Sequence, residues 1–289
     1  IQKNWNLKNE NIEKFYIGLA NELYKQNRLQ ESVYIYKEAL AVNPNNVIIH
    51  ENLVYILLQC GQIDEASAQY LKAIHLEPNN VKFYVDLGKI FYVKAQFPEA
   101  IEVYKQAIKL NTNGASDDLA EIHYLLGCTF CECERFENAI QEYTQAIKIK
   151  PKYAEAYAKL GDCQYRLNNF VDAANNLRKA IALKPDNPEF HLYLGRIISS
   201  QGEYREAIVE FEKAIELNII DSTPDPIVYT HYAFALFAQN KQKKAKTEIE
   251  RAIKLFQKQN MDDAAKQMEH LFEQIKKESS WKSFFQRFR

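Results

Sequence analysis

Apolar residues recur three and four positions apart along most of the chain, and short, mostly polar stretches interrupt them at regular intervals. Leu87 and Phe91 belong to one such series, Tyr104 and Ala107 belong to the next, and residues 94–96 separate the two. This spacing is that of amphipathic helices, which bury one apolar face against a neighbour. The pattern therefore predicts pairs of helices joined by tight turns, and an all-α fold.

The helix pairs repeat with a period that an alanine in the second helix of each pair makes visible. The interval between these alanines is 34 residues within the first three and again within the next three, and it widens to 39 and 38 between the groups. The alanines are Ala39, Ala73, Ala107, Ala146, Ala180, Ala214 and Ala252. A generic helical bundle has no reason to keep such a period, so the sequence predicts a stack of repeats.

Small or compact residues recur in the first helix of each pair, 19 positions before the alanine. A bulky side chain at a helix crossing holds two backbones apart, so a small residue there permits close packing. A large aromatic residue such as Tyr104 is expected to fill the gap that the neighbouring repeat leaves. The small or compact residues are Ala20, Val54, Gly88, Gly127, Gly161, Gly195 and Ala233, and four repeats end at Pro44, Pro78, Pro151 and Pro185.

The period, the small residues, the aromatics and the terminal prolines together resemble the tetratricopeptide repeat (TPR) family, with seven repeats over about residues 13–257. The resemblance implies an all-α fold, namely a right-handed superhelical α-solenoid of helix-turn-helix repeats. Position 1 of the seven repeats is then Glu13, Val47, Val81, Ala120, Ala154, Pro188 and Pro226.

The spacing divides the chain into seven segments, in which the wider intervals are interpreted as loops inserted at the edge of the array. The predicted segments are an N-terminal extension at 1–12, repeats 1–3 at 13–112, an insertion at 113–119, repeats 4–6 at 120–221, repeat 7 at 222–257, a capping helix at 258–278 and a tail at 279–289.

The resemblance also implies a function, that of a non-catalytic scaffold or adaptor. A repeat stack leaves a long concave surface on which an extended peptide or a helix of a partner protein can bind. In the family, positions 2, 5, 6, 9, 12 and 13 of each repeat line that groove. The predicted groove residues are Lys14, Asn21, Tyr24, Glu51, Asn52, Tyr55, Lys82, Lys89, Tyr92, Tyr124, Lys159, Asp162, Tyr165 and Arg196.

Tyrosine is frequent among these positions, and it supplies rigid contact area and a hydroxyl at low entropic cost. The alternative is that some of these rings fill gaps between helices. One TPR subclass clamps the C-terminal carboxylates of chaperone tails, and Asn21, Asn52 and Lys82 match it. Ile17 and Asp86 stand where that clamp needs cations, and an aspartate repels a carboxylate, so binding of a chaperone tail is disfavoured.

The cysteines are the strongest candidates for a metal site. Cys128, Cys131 and Cys133 resemble half of a zinc site, but structural zinc needs four ligands, and the spacing to Cys163 fits no familiar motif. Cysteines packed between helices are the commoner case, so we predict no metal and no cofactor. An odd count of five cysteines also argues against a disulfide framework and favours a reducing compartment such as the cytoplasm.

Catalytic motifs are not evident. His50, His123 and His191 occupy position 4 of their repeats, where the family usually carries Trp or Tyr, and structural packing explains them better than catalysis. The sequence contains no phosphate loop or nucleophile elbow. We therefore predict that the chain is not an enzyme, and the alternative is the substrate-recognition arm of a larger one.

Charge separates the C-terminal end from the rest of the chain. The formal net charge is −1, which gives no drive toward nucleic acid, yet residues 241–289 carry thirteen Lys or Arg against seven Asp or Glu. The tail adds Trp281, Phe284, Phe285 and Phe288, which share one face of a helix by their spacing.

That tail has three interpretations: a cap on the solenoid, a contact for a partner, or a peripheral contact with a membrane. The membrane interpretation describes an assembly factor held by the tail or by an N-terminal anchor. Self-association through an uncapped end of the stack is a further alternative.

Overall fold

The computed structural model describes the backbone of residues 2–111, 116–220 and 224–277, and the side chains of residues 10–111, 117–217 and 224–273. All regular structure in these ranges is helical, which confirms the all-α class. The helices are α1 Gln2–Lys25, α2 Leu29–Val42, α3 Val47–Gln59, α4 Ile63–Leu76, α5 Val81–Val93, α6 Phe97–Leu110, α7 Ser116–Glu132, α8 Phe136–Ile149, α9 Ala154–Arg166, α10 Phe170–Leu183, α11 Pro188–Ser200, α12 Tyr204–Ile220, α13 Pro226–Ala238, α14 Gln242–Lys258 and α15 Asp262–Lys277.

The helices form two compact units, residues 1–135 and residues 136–289, which we call the N-terminal unit and the C-terminal unit. In the N-terminal unit, hairpins α1–α2, α3–α4 and α5–α6 stack in order and α7 packs on α6. In the C-terminal unit, α8 packs on α9, hairpins α9–α10, α11–α12 and α13–α14 follow, and α15 packs on α14. Each unit buries its own core, which includes Leu53 and Leu87 in the first and Phe211 and Leu236 in the second.

Glycine in the first helix lets the two helices of a hairpin approach closely, as the repeat pattern predicts. An added Cβ on Gly195 would lie 2.6 Å from the ring of Phe211, and one on Gly88 would overlap the ring of Tyr104. Both rings are buried, so neither has room to move aside. Overpacking of such a site costs about 1–3 kcal/mol.

Every described turn between the two helices of a hairpin contains one residue with positive φ, at position 15 of the repeat. In the N-terminal unit these include Asn27, Gly61 and Ala95. Glycine adopts this left-handed conformation freely and asparagine tolerates it, whereas a side chain such as that of Ala95, at φ 55°, incurs strain of about 1 kcal/mol. The turn is therefore set by the repeat even where the local residue disfavours it.

The helix bounds differ from the predicted segments at three places. Helix α1 begins at Gln2, so most of the predicted extension is part of the first helix, and α7 begins at Ser116, inside the predicted insertion. Helix α12 continues to Ile220, up to the second widened interval. Helix α15 lies within the predicted capping segment, whereas the tail at 279–289 falls outside the described residues.

None of the described helices combines the length and the hydropathy that crossing a bilayer requires.

Candidate protein-binding surface on the first helices

The predicted groove residues lie on the first helices of both units. Helices α1, α3, α5 and α7 carry those of the N-terminal unit, from Lys14 to Tyr124, and helices α9 and α11 carry Lys159, Asp162, Tyr165 and Arg196. Within the N-terminal unit, contacts join α1 to α3, α3 to α5, and α5 to α7. These contacts determine which side chains are exposed toward a partner.

Two tyrosines connect α1 to α3. The hydroxyl of Tyr24 donates to that of Tyr55 at 3.3 Å, the ring centroids lie 5.7 Å apart, and Gln59 Nε2 donates to the Tyr24 oxygen at 3.3 Å. The hydrogen bond with Tyr55 lowers the pKa of Tyr24 and raises that of Tyr55. Tyr55 remains 56% exposed, so its ring both holds the helices in register and presents apolar area to solvent.

The two asparagines that resemble the carboxylate clamp are hydrogen-bonded to the hydroxyl of a buried tyrosine. The hydroxyl of Tyr36 donates to Asn21 Oδ1 at 2.5 Å, and Asn52 is hydrogen-bonded to the same hydroxyl. A buried hydroxyl needs such partners, because an unsatisfied one costs about 1–3 kcal/mol. The asparagine pair thus has a structural role inside the hairpin stack, whatever it contacts in a partner.

Helix α5 makes polar contacts with helices on both sides. Lys82 pairs with Glu51 on α3, and Lys89 Nζ lies 3.0 Å from Glu121 Oε1 on α7. The Tyr92 hydroxyl donates to Glu132 Oε1 at 3.2 Å, and burial together with that carboxylate raises the pKa of Tyr92 to about 12. Exposed pairs of this kind contribute about 0–1 kcal/mol each, so they position side chains more than they stabilise the fold.

A pocket of about 270 Å³ opens on this surface between α3, α4 and α5. Its lining is mostly apolar and consists of Leu58, Ile63, Tyr70, Asp86, Lys89, Ile90 and Val93. Leu58 is 41% exposed and Val93 71%, although both are aliphatic. The Tyr70 hydroxyl donates to Asp86 Oδ2 at 3.1 Å, and burial, reinforced by that carboxylate, raises the pKa of Tyr70 well above its ordinary value.

Lys89 is a predicted groove residue and Asp86 stands at a position of the carboxylate clamp, whereas Leu58 and Val93 were missed. Both stand at groove-lining positions of their repeats, 12 for Leu58 and 13 for Val93. The signal that could have found them is an aliphatic residue at a position that the family exposes. Apolar side chains on an amphipathic helix are ordinarily assigned to the core, which is why they were passed over.

On the first helices of the C-terminal unit, the predicted groove residues form a cluster of side chains in contact with their neighbours. The Arg196 guanidinium lies 5.6 Å from the ring centroid of Tyr165 and 6.0 Å from that of Tyr193. The Tyr165 hydroxyl is 3.2 Å from Ser200 Oγ, and Arg166 Nε donates to Asp162 Oδ2 at 3.1 Å. These predicted groove residues are therefore engaged with one another through cation–π contacts and hydrogen bonds.

Histidine and cysteine side chains do not form a metal-binding cluster in the described part of the chain. His231 stacks on Phe211 with ring centroids 6.2 Å apart, and burial, with a smaller effect of Arg196, lowers its pKa to about 4, so it is neutral at physiological pH. The five cysteines are thiols rather than disulfides. Among the described residues, no three His, Cys, Asp or Glu side chains cluster as metal ligands would.

The tail residues Trp281, Phe284, Phe285 and Phe288 lie outside the described residues. A cap, a partner contact and a membrane contact therefore all remain predictions, as does the assignment to a reducing compartment.

Stacked helical hairpins with small residues at the crossings and a left-handed residue at each described hairpin turn define a helical repeat protein. Family models described as "TPR repeat" match residues 20–53, 55–94 and 127–168, and one described as "Tetratricopeptide repeat" matches residues 164–225. Together they cover more than half of the chain, which belongs to the TPR family. TPR repeats are protein-interaction scaffolds that bind proteins or peptides, and they are typically non-catalytic.

Individual TPR proteins resemble parts of this chain. A stretch of 55 residues, 19% of the chain, is 38% identical to the DnaJ homolog subfamily C member 7 homolog of Dictyostelium discoideum and spans 10% of that protein. The crystal structure of MamA superposes with a TM-score of 0.53 at 28% identity, over 57% of this chain and 94% of MamA. A TPR protein from Parabacteroides merdae superposes with a TM-score of 0.67 at 15% identity, over 89% and 98% of the two chains, and shows the fold alone.

Proposed function

We propose that this protein is a scaffold that binds an extended peptide or a helix of a partner protein along helices α3 and α5 of the N-terminal unit. An apolar side chain of the partner enters the pocket between Leu58 and Val93. The observation that carries the proposal is the exposure of these two aliphatic residues at the rim of a pocket of about 270 Å³.

Size and chemistry define the anchor that fits the pocket. Side chains of the size of Leu, Met or Phe bury most of their surface in a cavity of this volume, and burial of one contributes about 1.5–3 kcal/mol. Ile63 and Ile90 supply apolar walls, and Tyr55 adds an exposed ring farther along α3. Such buried apolar anchors at the centre of a contact dominate the affinity of most interfaces.

Polar groups at the same pocket favour a peptide over a small apolar ligand. Asp86 and Lys89 lie one turn apart on α5, and their carboxylate and ammonium groups can bind the amide groups or charges that flank an anchor residue. Lys89 already pairs with Glu121, so a partner carboxylate would compete with an existing contact. We therefore expect an apolar anchor flanked by neutral or basic residues.

A peptide selection tests the proposal whatever the natural partner is. Peptides selected from a random display library on the whole chain should share one apolar anchor and should bind in solution. Val93→Asp should weaken the binding of these peptides about tenfold or more, because a charge at the rim opposes burial of the anchor.

The matched control is Leu71→Asp, which alters an aliphatic residue of similar exposure, 53%, on the second helix α4. Circular dichroism should show equal helicity for both variants. If the peptides bind equally well to Val93→Asp and to the wild type, the pocket is not part of the peptide-binding site.

A further inference from the structure

Negative charge outnumbers positive charge at the groove-lining positions of helices α3, α5 and α7. These positions hold two lysines and four carboxylates, namely Lys82, Lys89, Glu51, Asp86, Glu121 and Glu132. Each lysine already forms an ion pair with a neighbouring helix, Lys82 with Glu51 and Lys89 with Glu121. Asp86 and Glu132 therefore carry the surplus negative charge of this surface.

The contacts of Asp86 compensate its charge only in part. Its Oδ2 accepts a hydrogen bond from the Tyr70 hydroxyl at 3.1 Å, and within the described part of the chain it forms no ion pair. Lys82 and Lys89 stand one helical turn away on α5, but both ammonium groups are bound to other helices. The hydrogen bond with Glu51, opposed in part by burial, raises the pKa of Lys82, and the charges of Glu51 and Asp86 add smaller effects.

Asp86 is partly buried and lines the pocket in which the proposed apolar anchor binds. A carboxylate has about four acceptor sites, and Tyr70 occupies one of them. An apolar anchor that fills the pocket excludes water from the carboxylate, and desolvation of an ionised group without a new partner is unfavourable. A ligand that binds here must therefore bring a hydrogen-bond donor as well as an apolar side chain.

Arginine is the donor that suits this position best. Its guanidinium is always charged and is less strongly hydrated than an ammonium, so it loses less on entering a mostly apolar pocket than lysine does. Hydrogen bonds between a guanidinium and a carboxylate are about twice as strong as those between neutral groups. A carboxylate of the ligand would instead be repelled by Asp86.

We propose that Asp86 determines the specificity of this surface, and that it selects a basic segment of a partner protein with an arginine close to its apolar anchor. The inference rests on the proposed function, since the anchor brings the arginine to the pocket. Glu132 on α7, which accepts from the Tyr92 hydroxyl at 3.2 Å, adds further negative charge to the surface that such a segment meets.

The peptides selected on the whole chain supply the test, and an arginine should recur near their shared apolar anchor. In fluorescence-anisotropy titrations with the whole protein, Asp86→Asn should weaken binding of such a peptide about tenfold, because a charge-assisted hydrogen bond becomes a neutral one. Asparagine has the size of aspartate and can still accept from Tyr70, so circular dichroism should show unchanged helicity.

A synthetic peptide in which glutamine replaces the arginine isolates this contact. It should bind the wild type about tenfold more weakly than the parent peptide does. Asp86→Asn should weaken it little further, because both changes remove the same contact. The matched control is Asp172→Asn, which removes an exposed carboxylate on the second helix α10 and should leave binding of the parent peptide unchanged.

The outcomes distinguish the two proposals. Peptides that lose affinity with Val93→Asp but bind Asp86→Asn as tightly as the wild type would keep the pocket as the binding site and overturn the role of Asp86. Equal losses with Asp86→Asn and Asp172→Asn would also overturn that role, since the effect would then be one of net charge. Peptides that bind Val93→Asp as tightly as the wild type would contradict the proposed function and, with it, selection by Asp86.

Discussion

Hairpins α3–α4 and α11–α12 place a histidine at the same repeat position and hold it in two different ways. In the first, His50 Nε2 donates to the carbonyl oxygen of Pro44 at 2.9 Å, and Nδ1 lies 2.8 Å from the side-chain amide of Gln69. An amide can present either its oxygen or its NH₂ group to a ring nitrogen. Neither of these two partners of His50 carries a charge.

The second hairpin favours a charged ring. His191 Nε2 donates to the carbonyl oxygen of Pro185 at 2.9 Å, and Nδ1 lies 2.7 Å from Glu210 Oε2. Both partner atoms are acceptor oxygens, so a ring that carries a hydrogen on each nitrogen can donate to both. Burial, and to a lesser degree Lys213, opposes that charge, but the hydrogen bonds to Glu210 and Pro185 outweigh them and raise the pKa of His191 above its ordinary value.

The comparison shows that the repeat determines where a side chain lies, while one neighbour determines its charge. The neighbour occupies position 23 in both hairpins, as Gln69 in α4 and Glu210 in α12. The same packing position therefore has an uncharged amide as partner in one hairpin and a carboxylate in the other.

The largest difference is expected when the position 23 side chain is removed. Glu210→Leu should lower the free energy of unfolding by about 1.5–3 kcal/mol, because it removes the carboxylate that is hydrogen-bonded to His191 and favours its charged form. Gln69→Leu, the matched change, should cost about 1 kcal/mol, since it removes one hydrogen bond to an uncharged amide. Urea denaturation followed by circular dichroism measures both, and equal losses would show that His191 is not held as a cation.

A smaller effect is expected on the pH dependence of the free energy of unfolding. Because the pKa of His191 is raised above 6.5, its contribution is fully present below that pH and is lost as the pH rises through the pKa of the folded state. The wild-type protein should thus lose more stability than Glu210→Gln does as the pH rises above about 6.5.

The reciprocal change sharpens this test. Gln69→Glu should give hairpin α3–α4 the same pH dependence, which hydrogen exchange of the amides in residues 50–69 can locate. A wild-type protein and a Glu210→Gln variant with parallel pH profiles would contradict the assignment of the charge.

The smallest expected effect concerns the turns. Both compared hairpins have a glycine with positive φ there, Gly61 and Gly202, whereas the hairpin α5–α6 has Ala95 at φ 55°. Ala95→Gly should therefore stabilise the protein by about 0.5–1 kcal/mol, although the added freedom of the unfolded chain offsets part of the gain. Thermal unfolding measures this, and a lower midpoint than that of the wild type would contradict strain at Ala95.

The sequence predicted the repeat because the residues that recur with its period act within a single hairpin. Gly88 and Gly195 mark helix crossings, and the structure places a buried ring against each. The packing role predicted for His50 and His191 agrees with their burial. Period and residue size do not reveal which partner a histidine contacts, so the difference between Gln69 and Glu210 became interpretable only with coordinates.

The candidate site was less predictable for a physical reason. Family positions nominate side chains that face the groove, but they do not say which of these contact one another. Tyr24 contacts Tyr55, and Asn21 accepts from Tyr36, as neighbouring helices require. The exposed pair Leu58 and Val93 was missed because aliphatic residues on an amphipathic helix are ordinarily assigned to the core, although both stand at groove-lining positions of the repeat.

The most direct test of the proposed site is a methyl-resolved NMR titration of the whole protein with a peptide chosen by display selection. We predict chemical-shift changes at Leu58, Ile90 and Val93, with the methyl groups of Val171 and Val209 in the C-terminal unit unchanged. Saturable binding that perturbs the methyl groups of the C-terminal unit and leaves Leu58 and Val93 unchanged would contradict the proposed site.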